Sequence, residues 1–237
     1  MRILLLSDIH ANYAAIQALE NSGEKYDVLI CLGDIVDYGL EPVESITWVR
    51  NKANYVVRGN HDHGVAQKVM IQGIEGFRYL TGITRQLTIP MIGNEERNYL
   101  NCLPTTLWAN LGGKRFLFCH ATPRDPMDEY APPEIEFWKR RLPLFAPDYI
   151  CVGHTHHQYI LNVGQTTIIN PGSLGLPRDG DARAGYVILD DNKAEMKRIE
   201  YDIDSTIKKL RSSSLPEGAK EMLEEVYRTG KLTKRTP

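Results

Sequence analysis

Cysteine is scarce in this sequence. Cys31, Cys102, Cys119 and Cys151 are the only four in 237 residues, and no two make a CxxC spacing. No disulfide framework is implied, and three of the four lie in apolar runs that read as strands, where cysteine acts as a small buried side chain. A chain without disulfides fits a reducing compartment, so a cytoplasmic protein is expected. An excess of one charge is also missing: the formal net charge is -2, which gives no whole-chain attraction to nucleic acid or to an anionic membrane. No run approaches the ~20 apolar residues that cross a bilayer. The opening MRILLLSD is too short an apolar stretch for a signal peptide and ends at Ser7-Asp8. Neither an internal repeat nor a low-complexity linker divides the chain. With 42% hydrophobic and 24% charged residues, it can bury one sizeable core, and a single domain over 1–237 is expected.

Apolar runs of strand length alternate with helical patterns. Ile3 to Leu6 is followed by a helix from Asn12 to Ser22, with Asn12 as N-cap and Gly23 as the stop. A second strand, Asp27 to Leu32, precedes a helix from about Pro42 to Lys52, and Tyr55 to Val57 is a third strand. Continuous apolar strands in β-α-β-α-β order predict a parallel sheet covered on both faces, in an α/β fold. From His63 to Thr106 the pattern is mainly helical. Strands return at Arg115–Cys119, Tyr149–Val152, Thr166–Ile169 and Tyr186–Leu189, with Glu195–Tyr201 closing a hairpin. The proline-rich stretch from Ala121 to Pro147 reads as a long loop on the substrate side. The tail from about Ser205 to 237 reads as one or two charged helices broken near Pro216-Glu217-Gly218.

What the chain does contain is a series of short polar motifs, each placed just after an apolar run: SDIH (Asp8, His10), GD (Asp34), GNHD (Asn60, His61), CH (His120) and GHTH (His154, His156). Five of the seven histidines fall in them. Any one alone would be an ordinary loop start. Together, His, Asp and Asn without cysteine suit divalent metals, and the motifs imply a two-metal hydrolase. Asp8, Asp34, Asn60, His120 and His154 each follow the carboxyl end of a predicted strand, where open α/β sheets bind their ligands. Within DIH and HTH the alternate residues would point the same way from an extended backbone, so each pair is expected to address one cluster.

In this order the motifs resemble those of the calcineurin-like metallophosphoesterase superfamily, from Asp8 to about Ala184. GDIVDYG, HATPRDP and NPGSLGLPRDGDARAGY are similar to its small bacterial and archaeal branch, often described as predicted phosphodiesterases. The resemblance implies a four-layer α/β/β/α sandwich with the metal site at strand C-terminal ends. It also implies that Asp8, His10, Asp34 and His156 hold one metal, and that Asp34, Asn60, His120 and His154 hold a second. Asp34 would be shared, one oxygen to each ion. Manganese or iron is expected; zinc and nickel also suit these ligands. With a bridging hydroxide the site would keep a net charge of about +1, able to hold a phosphate and acidify water.

The same resemblance makes His61 the non-ligand histidine that protonates the leaving oxygen. Asp62 either orients His61 or caps the helix that follows. Related protein phosphatases and dinucleotide hydrolases carry a phosphate-binding arginine where this chain has Tyr38, which counts against both activities. They also favour glycine at the position of Ala11, and the phosphatases glutamate at that of Asp62. Asn60 would face substrate as well as metal. Arg124 and Arg178 are the nearby cations: each either clamps phosphate or pairs with its neighbour, Asp125 or Asp179. His63 and His157 read as rim or surface residues. Trp138 to Arg141 reads as a solvated basic helix face with one packed tryptophan rather than a base-stacking patch. The expected substrate is a small or nucleotide-like phosphodiester, and nucleic acid and membrane are not expected partners. A phosphomonoesterase or protein phosphatase would use the same core. A non-catalytic metal-binding scaffold is the reading from another class, opposed by the complete ligand set and His61. A homo-oligomer is compatible with the sequence.

Overall fold

In the computed structural model, which describes residues 1–234 and Thr236, the first apolar run becomes strand β1 (Arg2–Leu6). Its side chains serve two cores, because successive residues of a strand face opposite ways. Ile3 and Leu5 pack with Phe116, Phe118, Cys151 and Ile169, whereas Leu4 and Leu6 pack with Ile16, Leu19, Trp48 and Val49. That double burial is why the run is continuous rather than alternating.

The chain continues through α1 (Tyr13–Asn21), β2 (Val28–Cys31), α2 (Pro42–Lys52), β3 (Tyr55–Val56), α3 (Asn60–Ala66), α4 (Gly76–Met91) and α5 (Asn94–Cys102). Next come β4 (Thr106–Leu111), β5 (Lys114–Cys119), α6 (Ile135–Lys139), β6 (Tyr149–Cys151), β7 (Gln158–Val163) and β8 (Thr166–Pro171). The hairpin β9 (Ala184–Asp190) and β10 (Lys193–Ile199), α7 (Ile203–Ser212) and α8 (Glu217–Thr229) complete it. Two five-stranded sheets form, in the orders β10-β9-β1-β2-β3 and β4-β5-β6-β8-β7. Each has three adjacent strands paired in parallel, β1, β2 and β3 in one and β5, β6 and β8 in the other, and the remaining pairings are antiparallel. The sheets face each other across the Ile3–Phe118–Ile169 core. Helices α1 and α2 cover the outer face of the first sheet. The expected mixed α/β fold of two sheets flanked by helices is what forms.

Three expectations need correction. Strands β4 (TLWANL) and β7 (QYILNV) were not assigned from the sequence; both are edge strands of the second sheet, and Trp108 in β4 is 52% exposed. The stretch from Ala121 to Pro147 is not only a loop. It contains α6, and fully buried Trp138, donating its indole N–H to the Pro132 carbonyl at 3.0 Å, packs on the outer face of the second sheet. Helix α7 begins at Ile203, ahead of Ser205, because the Asp202 carboxylate accepts the Ser205 N–H at 2.9 Å as an N-cap. The tail is also less exposed than its charge suggests: Leu210, Met222, Leu223 and Val226 join Tyr38, Leu80 and Leu176 in a further core. Among the described residues no helix is long and apolar enough to cross a membrane.

Candidate metal centre

The carboxyl ends of β1, β2 and β3 in one sheet, and of β5 and β6 in the other, converge on one edge. They deliver Asp8, Asp34, Asn60, His120 and His154 there, as the strand map implied. The backbone is not extended at these points. Asp8, His10, Ala11, Asp34, Asp37, Tyr38, His154 and His156 all have positive φ, between 49° and 67°. Each such residue costs on the order of 1–3 kcal/mol and persists only where the surroundings enforce it. Glycines allow the close approaches. A Cβ on Gly59 would lie 2.0 Å from Asp34 Oδ1, and one on Gly153 would lie 1.9 Å from Ser7 Oγ. Because the two motifs are coiled rather than extended, only DIH sends both its residues to one group. The residues of HTH part: His156 joins Asp8 and His10, while His154 joins Asp34 and His120.

These groups have the donor chemistry of metal sites. His10, His120 and His156 each present Nδ1 to a backbone carbonyl, of Val36 at 2.8 Å, Leu32 at 2.7 Å and Leu176 at 2.5 Å. With a proton committed to Nδ1, each ring turns its Nε2 inward, and neutral His10 and His156 present a lone pair there. His10 Nε2 and His156 Nε2 then lie 3.2 Å apart. Two lone pairs facing each other repel, and a cation between them removes the conflict. Asp8 Oδ1 and Asn60 Oδ1 are buried without hydrogen-bond partners, a costly arrangement unless something else ligates them. Asp34 divides its carboxylate differently from the expected one oxygen per ion. Its Oδ1 accepts the His61 backbone N–H at 2.9 Å. Its Oδ2 lies 3.8 Å from His10 Nε2 and 3.1 Å from His120 Nε2, so that single oxygen faces both groups.

Electrostatics keep most of the imidazoles in the metal-ready neutral form. Burial, then the neighbouring His61 and His156, hold His10 well below the usual histidine range. Burial, then His120, push His154 down to about 4. Burial and then Arg178 lower His156. His120 goes the other way. Burial opposes its charge, but Asp34 outweighs that and pushes it up to about 10. A proton therefore stands on His120 in the metal-free protein. The resulting ion pair stabilises the metal-free fold fully below the usual 6.5 and ceases to do so as pH rises through about 10. A metal ion bound through His120 would have to displace that proton. Between pH 7 and 9, loading should release about one proton, and apparent affinity should fall about tenfold per unit of acidification. Calorimetry in buffers of different ionisation enthalpy measures this; loading without proton release would contradict the His120–Asp34 pairing.

His61 is oriented by a residue that motif reading passed over. Its Nδ1 lies 2.8 Å from Asp37 Oδ2, and the same oxygen receives Arg85 Nε at 2.9 Å and Nη2 at 2.6 Å. Asp62, expected either to orient His61 or to cap the helix that follows, takes the second role. It accepts the backbone N–H groups of Asp34 and Ile35, both at 2.8 Å, and of Gly59 at 3.0 Å. It thus caps α3 and fixes the loop carrying Asp34, while burial and then Asp34 push its carboxyl up to about 7. His61 Nε2 points inward, 3.9 Å from Asp34 Oδ2.

The two arginines differ. Arg178 does not pair with Asp179, which binds Arg198 instead. Its guanidinium lies 3.7 Å over the Phe77 ring and donates to the Tyr38 hydroxyl at 3.3 Å, and its Nε is buried without a partner. Tyr38 in turn stands edge-on to His10, with ring centroids 4.8 Å apart. Arg124 is exposed and has no ion pair among the described residues; Asp125 caps the N–H groups of Met127 and Asp128 instead. His63 is half-buried, and exposed His157 meets the Arg178 carbonyl at 3.2 Å; neither joins a ligand group.

Comparison with known proteins agrees with this geometry. Residues 1–194 match the calcineurin-like phosphoesterase superfamily domain. An uncharacterized protein of Methanocaldococcus jannaschii is 34% identical over 246 residues, covering 93% of this chain and 96% of its own. The crystal structure of a metallophosphoesterase from Sphaerobacter thermophilus aligns with a TM-score of 0.80 and 31% identity, over 95% of this chain and 99% of that one. A hypothetical protein from Pyrococcus horikoshii shares the fold, with a TM-score of 0.81 at 22% identity over 94% and 97% of the two chains. The chain belongs to the calcineurin-like phosphoesterase superfamily, hydrolases of phosphoester bonds.

Proposed function

We propose that the protein is a phosphodiesterase with a dinuclear metal centre, acting on a small or nucleotide-like ester in the cytoplasm. The observation that carries this reading is the position of Asp34 Oδ2 between two groups of inward-facing ligands. Asp8, His10, Asp34 and His156 would hold one divalent ion, and Asp34, Asn60, His120 and His154 the other, manganese or iron being the working metals. Such ions supply Lewis acidity at the phosphoryl group and lower the pKa of water. His61 protonates the leaving oxygen through Nε2. Asp37 and Arg85 fix the ring for that task, and Asp62 holds the Asp34 loop. Asn60 meets the phosphate side of the site. Residues 1–237 act as one domain, because the tail helices share a core with Tyr38.

A diester, rather than a monoester, is favoured by charge. Tyr38 stands where an arginine would add a cation, and Arg178 is the guanidinium joined to that position. A singly charged diester needs less positive charge than a dianionic monoester. Metal analysis combined with assays of bis(p-nitrophenyl) phosphate and p-nitrophenyl phosphate, with added Mn²⁺, tests the reading. A higher kcat/KM on the diester is expected. A higher value on the monoester would reverse the substrate assignment, and metal-loaded protein inert toward all phosphoesters would favour a scaffold.

Arg178 holds a non-bridging phosphate oxygen in this mechanism. Arg178→Ala should lower kcat/KM roughly tenfold or more, since hydrogen bonds to charged groups are worth about 1.5–3 kcal/mol, with metal content kept. Arg124→Ala should change it less, because Arg124 is exposed. Unchanged kinetics in both variants would leave phosphate binding to the metals alone.

A further inference from the structure

Tyr130 is an exposed aromatic held rigidly beside a metal ligand. Its ring is 57% exposed and stands at 67° to His154, with centroids 5.2 Å apart. Its hydroxyl donates to the Thr155 carbonyl at 3.4 Å, within the HTH motif itself. Both sequence neighbours are anchored. The Glu129 carboxylate receives Thr122 Oγ1 at 2.5 Å and Arg141 Nε at 3.1 Å. Ala131 is buried, and its carbonyl accepts the Tyr159 hydroxyl at 3.3 Å. Isolated exposed aromatics are common on protein surfaces and carry no meaning by themselves. This one differs in being braced on both sides and in facing His154, which is less buried than His10, His120 and His156. On the far side of the ligand groups, Tyr38 carries Arg178. The site thus has a guanidinium on one flank and a fixed π-face on the other.

We propose that Tyr130 is the stacking platform for a planar aromatic substituent, a nucleobase or an aryl group, carried by the phosphoester bound at Asp34. The proposal rests on the phosphodiesterase reading above. Stacking of a base on an aromatic side chain is worth about 1–3 kcal/mol, or on the order of five- to a hundredfold in affinity. A rigid ring forfeits little of that to ordering.

Equilibrium binding to the Mn²⁺-loaded protein tests this without relying on turnover. Thymidine 5′-phosphate and methyl phosphate are titrated calorimetrically into the wild type, Tyr130→Ala and Tyr130→Phe. The wild type should bind the thymidine ester at least about fivefold more tightly. Tyr130→Ala should erase that preference while keeping the methyl phosphate affinity and the metal content, and Tyr130→Phe should retain the preference. Equal affinities in the wild type, or a preference that survives in Tyr130→Ala, would overturn the proposal. Metal loss in Tyr130→Ala would show that the ring merely props His154, and would also overturn it. If neither phosphate binds the wild type, the proposal is overturned, and turnover of bis(p-nitrophenyl) phosphate by the same preparation tells whether the phosphodiesterase reading falls with it.

Discussion

Asp34→Asn should be the most damaging single substitution in the protein. The amide can still accept the His61 backbone N–H through one oxygen, as Asp34 Oδ1 does now. Its NH₂ group then replaces Oδ2, the atom facing both His10 and His120. A donor cannot ligate a cation, so both halves of the centre lose a ligand at once. Loss of a supporting residue around a metal typically costs 10–100-fold in affinity, and a shared ligand should cost more than about a hundredfold. Turnover should fall nearly to background while the fold is kept, since the large apolar cores do not include Asp34. Metal content after desalting, measured beside kcat and circular dichroism, checks all three points. Near-normal turnover with metal retained would exclude the shared role.

His61→Ala should separate chemistry from metal binding. The metal content should stay unchanged, and kcat should drop by about 10²–10⁴-fold, the usual range for a general acid. The loss should shrink on esters of nitrophenol, whose leaving group needs little protonation. Equal losses on good and poor leaving groups would remove the general-acid role. Geometry alone leaves a rival, because His61 also falls within reach of His10 and Asp34 as a ligand triplet. The rival predicts loss of metal. What favours the acid is the orientation of the ring, held by Asp37 and Arg85 rather than by a lone backbone carbonyl as in His10, His120 and His156.

The candidate ligands were legible in the sequence because strand ends announce them: an apolar run that stops abruptly at Asp or His sets that polar side chain at the edge of the sheet. The support around them was less legible. Asp62 is adjacent to His61 in sequence, whereas Asp37 lies 24 residues away, so local reading points to the wrong carboxylate. The choice is made by the turn after β2, whose N–H groups at Asp34 and Ile35 consume the Asp62 carboxylate. Arg85 was hidden for a similar reason. It lies on an inward stripe of α4 with Thr81, Thr84 and Thr88, a spacing of three and four residues. That polar stripe is a signal that could have pointed to a buried network. The threonines bond back to carbonyls four residues earlier, leaving Arg85 free to reach Asp37. The parting of His154 and His156 was implied by the family resemblance and missed by the spacing argument, which assumes an extended backbone where these residues are left-handed. Edge strands β4 and β7 carry short apolar runs, 107–109 and 159–161, that the sequence reading left unassigned.

The most direct test of the dinuclear centre is a crystal of Mn²⁺-soaked protein measured for anomalous scattering at the manganese edge. Two peaks are expected, about 3.5–4 Å apart. One should be ringed by Asp8, His10 and His156 and the other by Asn60, His120 and His154, with Asp34 Oδ2 within ligand distance of both. A single peak, or two that do not share Asp34, would contradict the dinuclear centre.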